Sequence, residues 1–434
     1  MTSKTKSILF FVVSTVLLFL GFDRNFLHLV PAEAFANFDK GSESLVIGRI
    51  VWTQQRGLFS DGALLGTGDA PTPIIGDAEF DHQYKTYLAD GEFSTYMIYK
   101  SQSGGQGWVF SLLDSISPFS ASTNLRLFRV FTALLSALTI AALLAWFHSQ
   151  FGLVVASTVL LTSLVSQWLT LYGRNLFYSV WDYFLPMVAA LYFLDRESRG
   201  RASNERVFYA TVGALLFLKG FLSGYDFLLP PMGMVATALI YYALKDKWGL
   251  WQFTRRLLWT GLACAVGVLA SFAVLAAQIG SVTGNFSDGF LHIVNTMGRR
   301  TFGTPLDPAL SDFFRAGQEA NVLEVIRSIA GKTAIVAGIR FTEVFVFFAV
   351  ATVLVALVLF LRGGKLGDTF NAWALLIATW VSFLSPLTWL AIFKAHAYYH
   401  PFTSAIVWHM PTMFFGYALC GLLITLLFRQ KSQP

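Results

Sequence analysis

Long apolar runs separated by short polar connections dominate the hydrophobic pattern of the chain. A helix that crosses the hydrocarbon core of a bilayer needs about 20 mainly apolar residues, and ten runs approach that length. They cover residues 7–22, 125–147, 153–172, 177–194, 207–222, 226–244, 257–279, 335–361, 371–393 and 403–428. The pattern therefore predicts an all-α integral membrane protein, residues 1–434 forming a single transmembrane domain of about ten transmembrane helices. The first run has no small-residue cleavage site after it, so we expect a retained helix rather than a signal peptide.

Composition agrees with the membrane interpretation. Hydrophobic residues make up 55% of the 434 residues and charged residues 13%, about half of the roughly 25% that soluble domains carry. The two cysteines, Cys264 and Cys420, both lie inside apolar runs, where they are expected to pack as small core residues rather than to form a disulfide.

The basic residues of the short connections predict the orientation. Segments 195–206, 245–256 and 362–370 and the tail 429–434 are all basic, and cytoplasmic loops carry an excess of Lys and Arg. This predicts that both termini are cytoplasmic. Two long loops, 23–124 and 280–334, then lie on the extracytoplasmic side.

The first long loop contains a predicted interfacial helix from Ser42 to Gln55, with Ser42 as its cap and Gly57 as its end. Asp39 and Glu43 would share a face if that helix began a little earlier. The rest of the loop is predicted to be irregular with short elements. Its glycines, like those of "GGKLGDT", are not followed by Lys-Ser or Lys-Thr, so a phosphate-cradling P-loop is not expected.

The second long loop has a predicted amphipathic stretch from about Pro308 to Ile329. Such a stretch can cover a site and contact an acceptor, or simply anchor the loop at the interface. Arg299 and Arg300, just before it, are interpreted either as site residues or as a flexible basic turn.

Ionisable residues gather at the predicted extracytoplasmic ends of the helices. Charged groups near hydrocarbon cost free energy, about 2.5 to 3.5 kcal/mol at a helix centre, so several on one face indicate a polyanionic ligand that arrives from the lipid. The candidate phosphate ligands are Arg49, Arg174, Lys219, Lys394, His396 and His400, and the candidate substrate contacts are Asn175, Tyr225 and Tyr399.

Several stretches resemble one family of enzymes. "GRIV" followed by "GLFSDGALLG", then "YGRNLFYSVWDYFLP", "KGFLSGYDF" and "FKAHAYYHPFTSAIVWHMP" resemble segments of bacterial membrane glycosyltransferases of the GT-C class. The size and loop plan are similar to the branch that adds arabinofuranose to type IV pilins. The resemblance implies a polyprenyl-phosphate sugar as donor, a glycan or protein as acceptor, and no required cofactor. It also implies a place in the bacterial cytoplasmic (inner) membrane, and no nucleic acid partner.

The resemblance further implies that an acidic residue of the first loop is the catalytic base. Sugar phosphates already carry a good leaving group, so one carboxylate suffices to accept the proton of the attacking hydroxyl, and cations stabilise the departing phosphate. Glu43, Asp39 and Asp226 are the candidates for this base. The paired Asp-Glu common after the first span of the family is absent here, since Asp39 and Glu43 stand apart. Direct displacement would invert the anomeric centre.

Other interpretations stay open. Glu43 can be a solvated residue of an amphipathic helix, Asp226 a structural partner of Lys219, and Arg49 a residue that reaches the lipid headgroups. His396 and His400 have the i, i+4 spacing of metal ligands, but no acidic third ligand lies nearby in sequence, so no metal site is predicted. A transporter or flippase, and a polymerase or ligase of lipid-linked glycans, are the alternative functions.

Overall fold

The computed structural model describes residues 3–69, 77–303, 316–317, 319–336, 338–362 and 369–428, and this part of the chain is mainly helical. The helices before the second long loop are α1 Ser3–Arg24, α2 Ala32–Arg56, α3 Asp77–Leu88, α4 Gly105–Ile116, α5 Ala121–Phe151, α6 Leu153–Leu164, α7 Gln167–Gly173, α8 Val180–Ser198, α9 Glu205–Ser223, α10 Leu229–Lys245 and α11 Leu250–Thr283. They are followed by α12 Phe286–Phe302, α13 Val322–Ala330, α14 Phe341–Arg362, α15 Thr369–Val381, α16 Leu384–Ile392, α17 Lys394–Tyr399, α18 Pro401–Ser404 and α19 Thr412–Phe428. Two short strands, β1 Gly66–Gly68 and β2 Tyr96–Ile98, pair antiparallel with Thr67 opposite Met97.

Within the described residues, six helical segments are long and apolar enough to cross a membrane. They are Thr5–Arg24, Ala121–Phe151, Glu205–Ser223, Leu250–Thr283, Phe341–Leu361 and Phe370–Ile392. Two bent pairs raise the number to eight if each pair forms one span: α6 with α7, and Pro401–His409, which is α18 continued by a short 3-10 helix, with α19. The chain is therefore a helical membrane protein. Of the other two predicted runs, α8 carries four charged residues and α10 has only 17 residues, so neither qualifies by length and composition.

The two bent pairs were predicted as continuous helices. The axis turns by 72° between α6 and α7 and by 43° before α19. Ser166 causes the first break because its hydroxyl caps α7, accepting a hydrogen bond from the Leu169 N–H. The same hydroxyl lies 2.9 Å from Nε2 of His409, at the second break. The two interruptions therefore meet inside the bundle.

The first-loop helix α2 is longer and more buried than predicted. It begins at Ala32 rather than at Ser42, directly after Pro31, and ends at Gly57 as expected. Ser42 lies in its interior and donates a hydrogen bond to the Phe38 carbonyl, so it is not a cap. The helix is not a one-sided interfacial helix either, because α3, α4 and the two strands pack on it and bury its polar residues with its apolar ones.

The second long loop also differs from the prediction. Arg299 and Arg300 belong to α12, not to a flexible turn. Of the predicted amphipathic stretch from Pro308 to Ile329, residues 308–315 and 318 lie outside the described residues, and α13 begins at Val322 behind a capping box formed by Asn321 and Glu324. Residues 363–368 and the tail 429–434, which carry part of the predicted basic charge, also lie outside them.

Two ends of the bundle can be distinguished by their side-chain contacts. At one end, here called the loop end, the end of α1 meets the start of α5 through a pair of hydrogen bonds from Arg126 to Asp23, each 2.6 Å long. At the opposite end, here called the basic end, Arg256 binds both Glu197 and Glu205. Both long loops emerge at the loop end.

Candidate active site

Helix α2 places two carboxylates on one face at the loop end. Since the helix begins well before Asp39, Asp39 and Glu43 are one turn apart and point the same way. Both residues are buried. Two neighbouring buried carboxylates require cations or hydrogen-bond donors around them.

Glu43 is fully engaged by the protein. Its Oε1 accepts a hydrogen bond of 3.0 Å from the Leu176 N–H. Its Oε2 accepts one of 2.8 Å from the Tyr84 hydroxyl and one of 2.6 Å from Arg129. Both oxygens of Glu43 therefore already bind partners, and the side chain is completely buried.

Asp39 is less tightly held. Its Oδ2 accepts a hydrogen bond of 2.8 Å from Arg174 and lies 3.7 Å from Arg129. Among the described residues its Oδ1 has only a long contact of 3.5 Å, with the Asn175 amide. Burial, and then the negative charge of Glu43, raise the pKa of Asp39 to about 6, although the two arginines oppose the shift. A carboxyl with a pKa near neutrality can take up and release a proton at physiological pH.

A cavity of about 590 Å³ opens beside Asp39. Asp39 contributes a carboxylate to the cavity wall. Four cationic side chains also line the wall: Arg24, Lys40, Arg129 and Arg174. The rest of the wall includes apolar side chains, among them Phe35, Leu88 and Leu125. Glu43 does not line this cavity. The arrangement suits a ligand with an anionic group and an apolar part.

Arg174 is fixed by the turn that follows α7. Its guanidinium stacks on the Phe35 ring at 4.0 Å and donates to the Asp23 carbonyl. Its Nε–H is buried and has no acceptor among the described residues. The next residue, Asn175, fixes the turn by accepting hydrogen bonds from two backbone N–H groups and by donating 2.6 Å to Ser42.

A second buried ionic cluster lies at the same end of the bundle. Asp226 pairs with Arg300 of α12, and Nε2 of His396 lies 3.9 Å from the same Asp226 oxygen. The Arg300 guanidinium covers the Tyr225 ring at 4.5 Å. Burial, and then the charge of Arg300, hold the pKa of His396 well below its usual range.

Lys219 forms hydrogen bonds with the backbone in this second cluster. Its ammonium donates to the carbonyl oxygens of Gly224 and Asp226, and the residue is completely buried. Gly224 has a φ of +62°, and a Cβ there would meet the Gln102 side chain at 2.3 Å. The ammonium therefore stabilises a tight turn that ends α9.

Of the remaining predicted site residues, His400 lies beside His396 of the second cluster, and the other three are dispersed. Arg49 is buried and donates to the carbonyl oxygens of Leu58 and Ser60, where it stabilises the turn after α2. Lys394 donates to the Ala320 carbonyl at 2.9 Å, and Tyr399 packs against Gly317. The His400 ring lies 4.7 Å from that of His396.

Aromatic side chains separate the two clusters. The Phe38 ring lies 4.9 Å from the Tyr172 ring and 6.1 Å from the Tyr178 ring, and Tyr178 in turn faces Phe227 beside Asp226. The cavity beside Asp39 contains no residue of the second cluster. The structure thus joins Asp39, Glu43, Arg174 and Asn175 in one group, and Asp226, Lys219, Tyr225, His396 and His400 in another.

Sequence reasoning missed Arg129, the cation that the two α2 carboxylates share. Arg126 and Arg129 fall inside the predicted span 125–147, and arginines in an apolar run were the available signal. Arg24, Lys40 and Tyr84 were also missed, because only the packing of α1, α2 and α3 brings them to the cavity. Among the described residues no group of three or more His, Cys, Asp or Glu side chains is arranged to hold a metal ion.

Comparisons with protein-family models, with curated proteins and with solved structures gave no match to this chain.

Proposed function

We propose that the chain is a glycosyltransferase of the GT-C type, which moves a sugar from a polyprenyl-phosphate donor to a glycan or protein acceptor such as a pilin. The observation that carries the proposal is the cavity beside Asp39, in which one carboxylate with a pKa of about 6 faces a wall of four cations. The proposed reaction needs a base and an anion site next to each other, and this cavity supplies both.

The anionic part of the donor is assigned to Arg129 and Arg174. Both guanidinium groups line the cavity, and both lie within 4 Å of the Asp39 carboxylate. Arginine binds phosphate oxygens with two parallel hydrogen bonds. Cations held beside a leaving phosphate stabilise the charge that grows on it in the transition state.

The lipid part of the donor is assigned to the outer side of α1. Arg24 lines the cavity at the end of this helix, and a stripe of exposed apolar side chains leads away from it: Leu9, Val13, Val16 and Leu20. These residues repeat every three or four positions, so they lie on one face. A polyprenyl chain can remain along this face in the bilayer while its phosphate enters the cavity from the side.

Asp39 is the proposed base, in preference to Glu43 and Asp226. Asp39 lines the cavity with one oxygen weakly bonded, whereas the oxygens of Glu43 are occupied and Asp226 is paired with Arg300. The acceptor hydroxyl transfers its proton to Asp39 as its oxygen bonds to the anomeric carbon. The bond from that carbon to the phosphate oxygen breaks, and its electron pair leaves with the polyprenyl phosphate. This displacement inverts the anomeric centre.

We propose that the cavity lies on the extracytoplasmic side of a bacterial cytoplasmic membrane and that both termini lie in the cytoplasm. In this arrangement α8, α10 and the two bent pairs also span the membrane, which gives ten spans. The basic residues at the opposite end of the bundle support this orientation. A polymerase or ligase of lipid-linked glycans is the alternative with the same electrostatics and a longer donor.

The test is donor consumption by the purified full-length protein. Synthetic polyprenyl-phosphate sugars would be incubated with it in nanodiscs, together with membranes from the producing cell as the source of acceptor. Release of polyprenyl phosphate is expected from the wild type. A variant with both Arg129→Gln and Arg174→Gln should lose at least about 10²-fold in rate, while the matched control Arg56→Gln, an exposed arginine on the same loop, should not. Full activity in the double variant would refute the assigned phosphate site.

A second candidate function rests on the two bent pairs. Broken helices that meet inside a bundle are typical of secondary transporters, and Ser166 and His409 join two such breaks here. A lipid flippase would therefore move a polyprenyl-phosphate sugar across proteoliposome membranes without consuming it. Movement that stops in the variant His409→Ala, with no transfer of the sugar, would favour this alternative over the enzyme.

A further inference from the structure

An apolar groove of about 420 Å³ lies between α9 and α11, and the proposed reaction does not use it. Its wall consists mainly of small residues: Ala210, Gly213, Ala214, Ala263, Gly267 and Ala270. A Cβ on Gly267 would lie 2.2 Å from the Gly213 carbonyl oxygen, so the two helices touch backbone to backbone. The small side chains leave the groove beside this crossing unfilled.

The groove lies on a surface that faces hydrocarbon. Both helices are among the candidate membrane spans. On α11 the groove is bordered by Trp259, Leu262 and Val266, which are all exposed. Water is absent from such a surface in a membrane, so the occupant of the groove is a hydrocarbon chain.

Cationic side chains stand at one end of the groove, on both of the helices that form it. Arg206 precedes Ala210 by four residues on α9, and Arg255 precedes Trp259 by four residues on α11. Residues four apart lie on the same helical face, about 6 Å apart along the axis. Both arginines are exposed, and Arg255 has Glu205 as a partner at 3.1 Å. Tyr209 lines this end with a buried hydroxyl that bonds to none of the described residues.

We propose that this groove binds an anionic phospholipid, with one acyl chain between α9 and α11 and the headgroup phosphate between Arg206 and Arg255. Basic pockets between membrane helices bind anionic headgroups, which are attracted by nearby Lys and Arg side chains. The apolar chain supplies affinity for any phospholipid, and the two arginines supply preference for negative charge.

The bound lipid is a bilayer phospholipid rather than the sugar donor. The groove runs from Tyr209 to Phe217 on α9 and shares no residue with the cavity beside Asp39. Its arginines lie towards the basic end, whereas Asp39 lies at the loop end. The inference therefore stands independently of the proposed glycosyltransferase function.

Native mass spectrometry of the full-length protein in detergent tests the proposal, with phosphatidylglycerol and phosphatidylcholine of identical acyl chains as the probes. The wild type should bind one phosphatidylglycerol more tightly than phosphatidylcholine. The variant with both Arg206→Gln and Arg255→Gln should bind phosphatidylglycerol about 25-fold more weakly, since each arginine contributes roughly fivefold in affinity. Its affinity for phosphatidylcholine should not change. The matched control is Arg201→Gln, another exposed arginine at the basic end, which should leave both affinities unchanged.

A second variant tests the groove itself. Ala214→Phe fills the groove from an exposed position, so both lipids should bind at least about tenfold more weakly. Gly261→Phe adds the same side chain at an exposed point of α11 outside the groove, where nothing lies within 4 Å, and should have no effect. Undiminished binding in the Ala214→Phe variant, or an unchanged preference in the double arginine variant, would overturn the proposal.

Discussion

The two ionic clusters at the loop end are chemically similar, but they differ in what surrounds them. Each holds buried carboxylate and arginine side chains. The cluster of Asp39 opens onto a cavity lined by further cations. In the Asp226 cluster, Arg300 pairs with Asp226, and Lys219 donates hydrogen bonds to backbone carbonyls. A buried ion pair is weak evidence for function by itself. The open volume beside one pair marks the candidate site.

The largest expected effect separates the two carboxylates by activity. Asp39→Asn removes the proposed base and should lower the rate of sugar transfer by about 10² to 10⁴, while asparagine still accepts a hydrogen bond from Arg174. Asp226→Asn should leave the rate per folded molecule within a few fold. Both rates would be measured as polyprenyl phosphate release, with Glu33→Gln, an exposed residue of α2, as the control. Equal losses of transfer rate in Asp39→Asn and Asp226→Asn would show that the two clusters do not differ in function.

The next effect separates the clusters by stability. Arg300→Gln leaves the buried Asp226 carboxylate without its cation, so we expect a loss of about 3 to 5 kcal/mol in the free energy of unfolding. Thermal unfolding of the purified protein would show it as a lower midpoint.

The double variant Arg300→Gln with Asp226→Asn supplies the control for that experiment. Removing both charges should restore most of the loss, because no unpaired charge remains. A single Arg300→Gln variant as stable as the wild type would mean that the pair contributes nothing to the fold.

A third prediction concerns pH. The proposed base works only when ionised, so kcat/KM should fall below a pH of about 6, the raised pKa of Asp39. Glu43→Gln removes a negative charge that helps to raise this pKa and leaves Arg129 facing Asp39, so the acid limb of the profile should move to lower pH.

The acid limb distinguishes this electrostatic role of Glu43 from a structural one. A variant that only loosens the fold changes the height of the profile and not its midpoint, and Glu43→Asp, which keeps the charge, should keep the wild-type midpoint. An unchanged midpoint in Glu43→Gln would refute the coupling of the two carboxylates.

The smallest effect is expected at the basic end. Exposed Arg199 and half-buried Asp195 form an i, i+4 pair of 2.8 Å, and helical pairs near the surface contribute about 0.3 to 0.5 kcal/mol. Arg199→Gln should therefore shift the midpoint of thermal unfolding far less than Arg300→Gln. A loss as large as that of Arg300→Gln would show that burial does not explain the difference between the two pairs.

The sequence predicted local features well and long-range contacts poorly. Apolar runs located the six candidate membrane spans and the two bent pairs, because length and hydrophobicity are local properties. The break at Ser166 was not predicted, because a single serine hardly changes the average hydrophobicity of the apolar run 153–172. The end of α2 at Gly57 was predicted, but its start was not, since the residues before Ser42 show no clear apolar period.

The candidate site was recovered in part for the same reason. Asp39, Glu43 and Arg174 were all named, yet their meeting depends on the packing of α2 against the turn after α7, which no local pattern encodes. Lys219 and Lys394 were predicted to be phosphate ligands because a cation near hydrocarbon requires an anion or a hydrogen-bond acceptor. Each of these lysines donates a hydrogen bond to a backbone carbonyl. Every residue has such a carbonyl, so the sequence does not indicate which one a lysine will bind.

The most direct test of the central claim is to map where the donor phosphate binds. A polyprenyl phosphate with a photoreactive group beside the phosphate would be cross-linked to the full-length protein, and the labelled peptides identified by mass spectrometry. If the phosphate binds beside Asp39, labels are expected on residues 24–40 and around Arg129 and Arg174. Labels confined to residues 219–228 and 394–400 would place the phosphate in the second cluster and contradict the account.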